Sequence, residues 1–165
     1  MKPDPTSMTR KVFTDPFHFL AFGFGSGLSP KAPGTAGTLV AVPFYFLLVE
    51  LGWIGYGVAL IFLFSVGVYI CHKVEREIGG TDPGGIVFDE FVGLWLTCFL
   101  LPPAWYWLPL AIVLFRIFDI VKPWPVSWCD TNVKGGFGIM LDDVVAAAYA
   151  FVCIQLGALL MASLS

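Results

Sequence analysis

The chain has 165 residues, of which 58% are hydrophobic and 13% charged, and its formal net charge is −3. Soluble domains carry roughly twice that share of charge, and so short a chain has too little interior to hide this much apolar surface, so lipid must cover part of it. The slight acidity excludes a strongly basic nucleic-acid binder, and the length allows one domain, residues 1–165.

In chain order, residues 1–22 lack the apolar core and the small-residue cleavage site of a secretory signal. Residues 1–15 read as a flexible tail. Residues 13–24, apolar but broken by Asp15, Pro16 and His18, read as an interfacial segment. From Gly23 to Thr38 the chain is rich in Gly, Pro and hydroxyls. Successive amides, a helix N-terminus and the Ser29, Thr35 and Thr38 hydroxyls make this stretch a candidate phosphate cradle. A plain turn with Thr35 or Thr38 as N-cap fits the composition equally. The Gly-Lys-Ser/Thr of a P-loop is absent.

Five apolar runs follow: 36–51, 53–71, 92–101, 105–115 (continuing helically to about 121) and 144–162. A membrane-crossing helix needs about 20 residues. The second and fifth runs meet that length, whereas the first and third are short enough to tilt or be re-entrant. The expected fold is therefore all-α: a polytopic membrane helical bundle of about five membrane helices, some short or re-entrant.

The turns at 52–53 and 102–107 hold no Lys or Arg. All nine Lys and Arg, and every carboxylate except Glu50, fall in the other connections or at their helix mouths. The positive-inside rule makes that side, with the N-terminus, cytoplasmic and puts the C-terminus outside. Trp53, Trp105, Tyr106 and Trp107 suit the outer interfacial belt. The in-helix glycines Gly55, Gly57, Gly67, Gly93 and Gly157 would let helices approach closely. Cys71, Cys98, Cys129 and Cys153 form no CxxC pair, so neither a disulfide framework nor a zinc site is visible.

Three charged clusters sit on the cytoplasmic side. After Asp82, Asp89 and Glu90 open a membrane helix. Two hard carboxylates there suit Mg²⁺, which takes one or two acids plus substrate phosphate; one acid would serve to compensate the helix dipole. Arg116, Asp119 and Lys122, three apart, share roughly one helix face. Arg and Lys can hold phosphate, with Asp119 binding metal or orienting Arg116; an Arg116–Asp119 ion pair with Lys122 snorkelling is the plainer alternative. Finally, the Gly-rich loop from Asn132 leads into Asp142 and Asp143. A second acid pair at a second helix mouth makes a natural divalent-ion site, with N-terminal capping again the alternative. Lys134, in that loop, reads as a solvated lysine.

At these motifs the chain resembles the phosphatidylglycerophosphatase A family of bacterial membrane lipid phosphatases. The stretches that carry the resemblance are 23–38 (GFGSGLSPKAPGTAGT), 86–93 (IVFDEFVG), 115–125 (FRIFDIVKPWP) and 135–144 (GGFGIMLDDV). With the hydrophobic spacing they cover about residues 16–162. The resemblance implies Mg²⁺-dependent hydrolysis of phosphatidylglycerophosphate to phosphatidylglycerol and phosphate at the cytoplasmic face of the bacterial inner membrane. The residues fit that chemistry. Some of Asp89, Glu90, Asp142 and Asp143 would hold metal, and Asp119 joins them as a candidate catalytic acid. Ser29, Gly34, Thr35, Thr38, Arg116 and Lys122 are candidate phosphate contacts.

Other phosphatase routes lack their residues. No Cys is followed six positions later by Arg, the two histidines sit in no suitable motif, and no DxD occurs. A metal-activated water is favoured, with an aspartyl-phosphate on Asp89, Asp142 or Asp143 as the alternative. A divalent-cation transporter should carry a midplane charge or an internal repeat, and neither is present. A head-group transferase could use the same Mg²⁺-carboxylate site but lacks a DGxxAR-type signature. A non-catalytic assembly factor would not need two acid pairs beside a basic face.

Overall fold

The computed structural model describes residues 5–79 and 84–164, and Asp82 lies outside it. Among the described residues every regular element is helical: α1 (Pro5–Thr14), α2 (Pro16–Ala21), a 3₁₀ turn (Gly23–Leu28), α3 (Pro33–Val49), α4 (Gly52–Ile78), α5 (Phe88–Thr97), α6 (Trp107–Val121), α7 (Val126–Asn132) and α8 (Gly135–Leu164).

Two of these, α4 and α8, are long and apolar enough to cross a membrane; α3 is a shorter apolar helix. At 1.5 Å per residue the 10 residues of α5 extend only about 15 Å, half of a hydrocarbon core of about 30 Å. The third apolar run is thus too short to cross alone. Its C-terminal carbonyls are met inside the protein: Gln155 Nε2 of α8 donates to Phe99 O and Leu100 O at 3.4 and 3.2 Å. A helix end in an apolar setting needs such partners. That explains the polar residue interrupting the fifth run.

The bundle is organised around α8, which packs against α4, α5, α6 and α7, while α3 covers α5. Small residues make the approach possible. Ala146, Ala147 and Ala150 of α8 are fully buried. A side chain at Gly93 would strike the Phe115 ring, and one at Gly67 would strike Met140 and Phe88. Of the glycines expected to serve close packing, Gly67 and Gly93 clearly do. A Cβ at Gly55 would meet only Leu51 at its own helix's start, and Gly57 and Gly157 have ordinary contact with Phe99 and Trp107.

The N-terminal segment is more deeply built in than the sequence indicated. Where a tail was expected, α1 carries a fully buried Val12, and Ala21, Phe22 and His18 of the expected interfacial segment are also buried. Asp15 caps α2, its Oδ1 accepting from the Phe17 and His18 amides at 2.8 and 3.0 Å. Those amides, His18 first, hold the Asp15 carboxyl below its ordinary pKa. One consequence reaches the acids: Val87 N donates to Ala21 O at 2.8 Å, and Gly27 packs against the Gly85 backbone. The N-terminal segment thereby fixes the entry into α5.

Candidate active site

A cavity of about 370 Å³ opens at the charged end of the bundle. Its lining comes from α4, α5, α6, α7 and α8 and includes Glu75, Asp89, Glu90, Asp119, Asp130, Asp142 and Asp143, against which stand Lys122 and Lys134.

Asp89 and Glu90 occupy the first turn of α5, as expected. Asp142 and Asp143 do not open a helix: α8 begins at Gly135, so they lie two turns inside it. N-terminal capping therefore does not explain the second pair, because the helix-end charge is confined to the first turn. Successive helical residues point about 100° apart, and the two members of the pair diverge accordingly. Asp143 joins Asp89 and Glu90: each of the three offers one carboxylate oxygen, all within 4.8 Å of one another. Asp142 instead accepts from Lys122 Nζ at 2.7 Å. The four acids expected to hold metal thus separate into a convergent trio and one acid paired with lysine.

The basic residues are equally specific. Arg116 Nη1 lies 2.8 Å from Asp119 Oδ2 and 3.6 Å from Glu90 Oε1, with all three side chains about 15% exposed or less. The approach to Asp119 is close in distance but not aligned as a hydrogen bond, and Arg116 Nε and Nη1 keep donors without an aligned acceptor. Lys122 leaves the Arg116–Asp119 face because it ends α6 in the left-handed region, φ 46°. It does not snorkel: its Nζ also donates to Asp130 Oδ1 at 2.7 Å. Burial opposes its charge, but the hydrogen bonds to Asp130 and Asp142 outweigh that and raise its pKa above the usual ammonium range.

The Gly/Pro stretch packs against the acids more than it faces the cavity. The N-cap of α3 is Ala32, in the left-handed region and without a side-chain cap, and Pro33 follows. Neither Thr35 nor Thr38 caps the helix; the buried Thr38 hydroxyl donates to Gly34 O at 2.9 Å. Ser29 Oγ donates to Lys31 O at 2.8 Å. At Gly34 a Cβ would collide with Glu90 Oε1 and lie 2.9 Å from Arg116 Nη2. The absence of a side chain there is what lets α3 lie against the Glu90–Arg116 pair. Ser29, Gly34, Thr35, Thr38 and Arg116 are not among the cavity-lining residues, whereas Lys122 and Asp119 are.

Sequence reasoning did not single out Glu75 or Asp130, and it set Lys134 aside. Glu75 sits on the polar end of α4, whose length the apolar run understated. Asp130 lies on α7, too short to show a hydrophobic period. The four-residue spacing of Asp130 and Lys134 was the available signal.

Among the described residues, buried Glu90 Oε2 and Asp143 Oδ2 have no hydrogen-bond partner. Carboxylates that converge this closely repel unless protonated or bridged by a cation. An all-oxygen set with spare ligand atoms fits a hard divalent ion.

The structure is that of a helical protein with two helices long and apolar enough to cross a membrane and an acidic cavity at one end. The phosphatidylglycerophosphatase A family model matches residues 19–158, and the chain belongs to that family of phosphatases. It is 48% identical over 139 residues to phosphatidylglycerophosphatase A of Escherichia coli, covering 84% of this chain and 81% of that one. It is 44% identical over 144 residues to the protein of the same name from Haemophilus influenzae, covering 85% and 87%. A Bacteroides thetaiotaomicron protein, provisionally named a phosphatidylinositol-3-phosphatase, is 46% identical over 140 residues, covering 80% and 87%. No solved structure matches the chain.

Proposed function

We propose that this protein is a Mg²⁺-dependent lipid phosphatase that converts phosphatidylglycerophosphate to phosphatidylglycerol and inorganic phosphate at the cytoplasmic face of the bacterial inner membrane. The observation that carries the reading is the convergence of Asp89, Glu90 and Asp143 on one cavity. Two relatives named phosphatidylglycerophosphatase A support the substrate. The gathering of the Lys and Arg residues at one end of the helices supports a cytoplasmic mouth.

Asp89, Glu90 and Asp143 would hold the ion, and the unpartnered oxygens of Glu90 and Asp143 favour that over three bare carboxylates. A bound Mg²⁺ would supply Lewis-acid stabilisation of phosphoryl charge there. The protein's own groups do the rest. Asp119 and Glu90 hold Arg116 beside the trio, where its charge offsets part of the acids' mutual repulsion from behind the cavity wall. Lys122, pinned by Asp130 and Asp142, brings a fixed positive charge to the cavity wall. Most of the catalysis of phosphoryl transfer comes from such positioning and charge stabilisation.

The experiment is phosphate release from phosphatidylglycerophosphate by purified protein in detergent, with and without Mg²⁺, beside Asp89→Asn. Release that needs Mg²⁺ and is lost in the variant supports the reading. No release by folded wild-type protein under either condition would overturn it.

A further inference from the structure

The cavity is a hard place for a doubly phosphorylated lipid. Seven carboxylates line it against two ammonium groups. Of the two, Lys122 is already committed to Asp130 and Asp142. Among the described residues no carboxylate is paired with Lys134; its Nζ reaches only the Asp130 backbone oxygen, at 3.3 Å. It is therefore the cavity-lining cation with charge left to offer an anion.

The surrounding backbone is fixed, although Lys134 is exposed. On its C-terminal side, Gly136 packs onto the α4 backbone at Val68 and His72, where any Cβ would collide. Gly135 takes a positive φ of 73° with the His72 ring beside it. A Cβ at Gly138 would strike the Val133 carbonyl on the other side. The glycines of this loop hold Lys134 at the rim while α8 descends to the buried Asp143. The exposed Trp128 and Phe137 flank it in the chain, apolar neighbours suited to the lipid side of a mouth.

The order of depth in the cavity matches the order of groups in the head group. Phosphatidylglycerophosphate ends in a phosphate monoester, and a phosphodiester joins its glycerol to the lipid. With the monoester at the buried trio, the diester lies toward the rim. We infer that Lys134 is a specificity-determining residue that holds this phosphodiester. The inference rests on the lipid-phosphatase reading above and adds the site of the second phosphate.

Product inhibition separates the two phosphates, because phosphatidylglycerol keeps the diester and inorganic phosphate mimics the monoester. Full-length wild type, Lys134→Gln and Lys134→Arg are compared in mixed micelles. Lys134→Gln should weaken inhibition by phosphatidylglycerol about tenfold, the low end for a charge-assisted hydrogen bond. Inhibition by inorganic phosphate should stay unchanged, the substrate defect should fall on KM more than kcat, and Lys134→Arg should restore most of the loss. A shift in phosphate inhibition alone, an equal shift in both, or no shift in either overturns the assignment. Wild-type protein that releases no phosphate would instead sink the parent reading, so the two failures are distinguishable.

Discussion

Two pairs of adjacent carboxylates reach the same cavity from different helical settings. Asp89 and Glu90 sit in the first turn of α5, and both turn toward the convergent site. Asp142 and Asp143 sit two turns into α8 and part company, one to Lys122 and the other to the trio. Adjacent acids in sequence are thus not a functional unit. A helix rotates successive side chains by about 100°, and what each meets is decided by the neighbouring helix. Asp143 faces α5 across Gly93, whose missing side chain leaves room beside its Cβ. Asp142 faces the end of α6, where Lys122 projects from a left-handed cap.

This division of labour can be broken most severely at Asp143. Asp143→Asn should lower kcat by at least about 100-fold, since losing even an outer-shell partner of a metal ligand costs 10–100-fold. Mg²⁺ should raise the melting temperature of wild type and leave that of Asp143→Asn unmoved, a readout independent of turnover. Equal thermal responses in the two proteins would remove Asp143 from the proposed ion site.

Arg116→Ala tests the support of the other pair. It strips Glu90 and Asp119 of their counter-ion in a poorly solvated place and should cost about 3 kcal/mol of stability, measured by denaturation in detergent. A loss below about 1 kcal/mol would mean that solvent already screens the pair.

Asp142→Asn is the sharpening experiment. It should leave Mg²⁺ stabilisation in place and reduce turnover only about tenfold, the scale of a positioning partner. A loss as large as that of Asp143→Asn would return both acids to one role.

The smallest effect is expected from an acid outside the cavity. Asp15→Ala should cost about 1 kcal/mol, the usual worth of a helix N-cap, without altering Mg²⁺ stabilisation. The Asp15 carboxyl is depressed in the folded protein. Its contribution is therefore present above the unfolded value of about 3.9 and is lost as pH falls through the lower folded value. Stability curves at neutral and acid pH should converge for wild type and variant.

Several features were legible in the chain before folding. Composition pointed to lipid, and two apolar runs have the length to cross it. The acid pairs, Asp119 and the Arg116–Asp119 contact follow from local spacing, because helical periodicity is a property of the backbone. The burial of Val12, Ala21 and Phe22 was not legible, because an apolar stretch broken by Asp15, Pro16 and His18 reads the same whether lipid or distant helices cover it.

What the sequence by itself determined is the inventory: all-helical character, an apolar body, and the bases with every acid but Glu50 segregated to one end. Tertiary structure alone decided the assignments within it. It chose Asp143 over Asp142 for the trio, turned the Gly34 region into packing for Glu90 and Arg116, and brought Glu75, Asp130 and Lys134 to the cavity. The physical reason is range. Hydropathy and helix period act over a few neighbouring residues, whereas a carboxylate's partner is set by contacts between segments as far apart as Gly34 and Arg116, or Asp89 and Asp143.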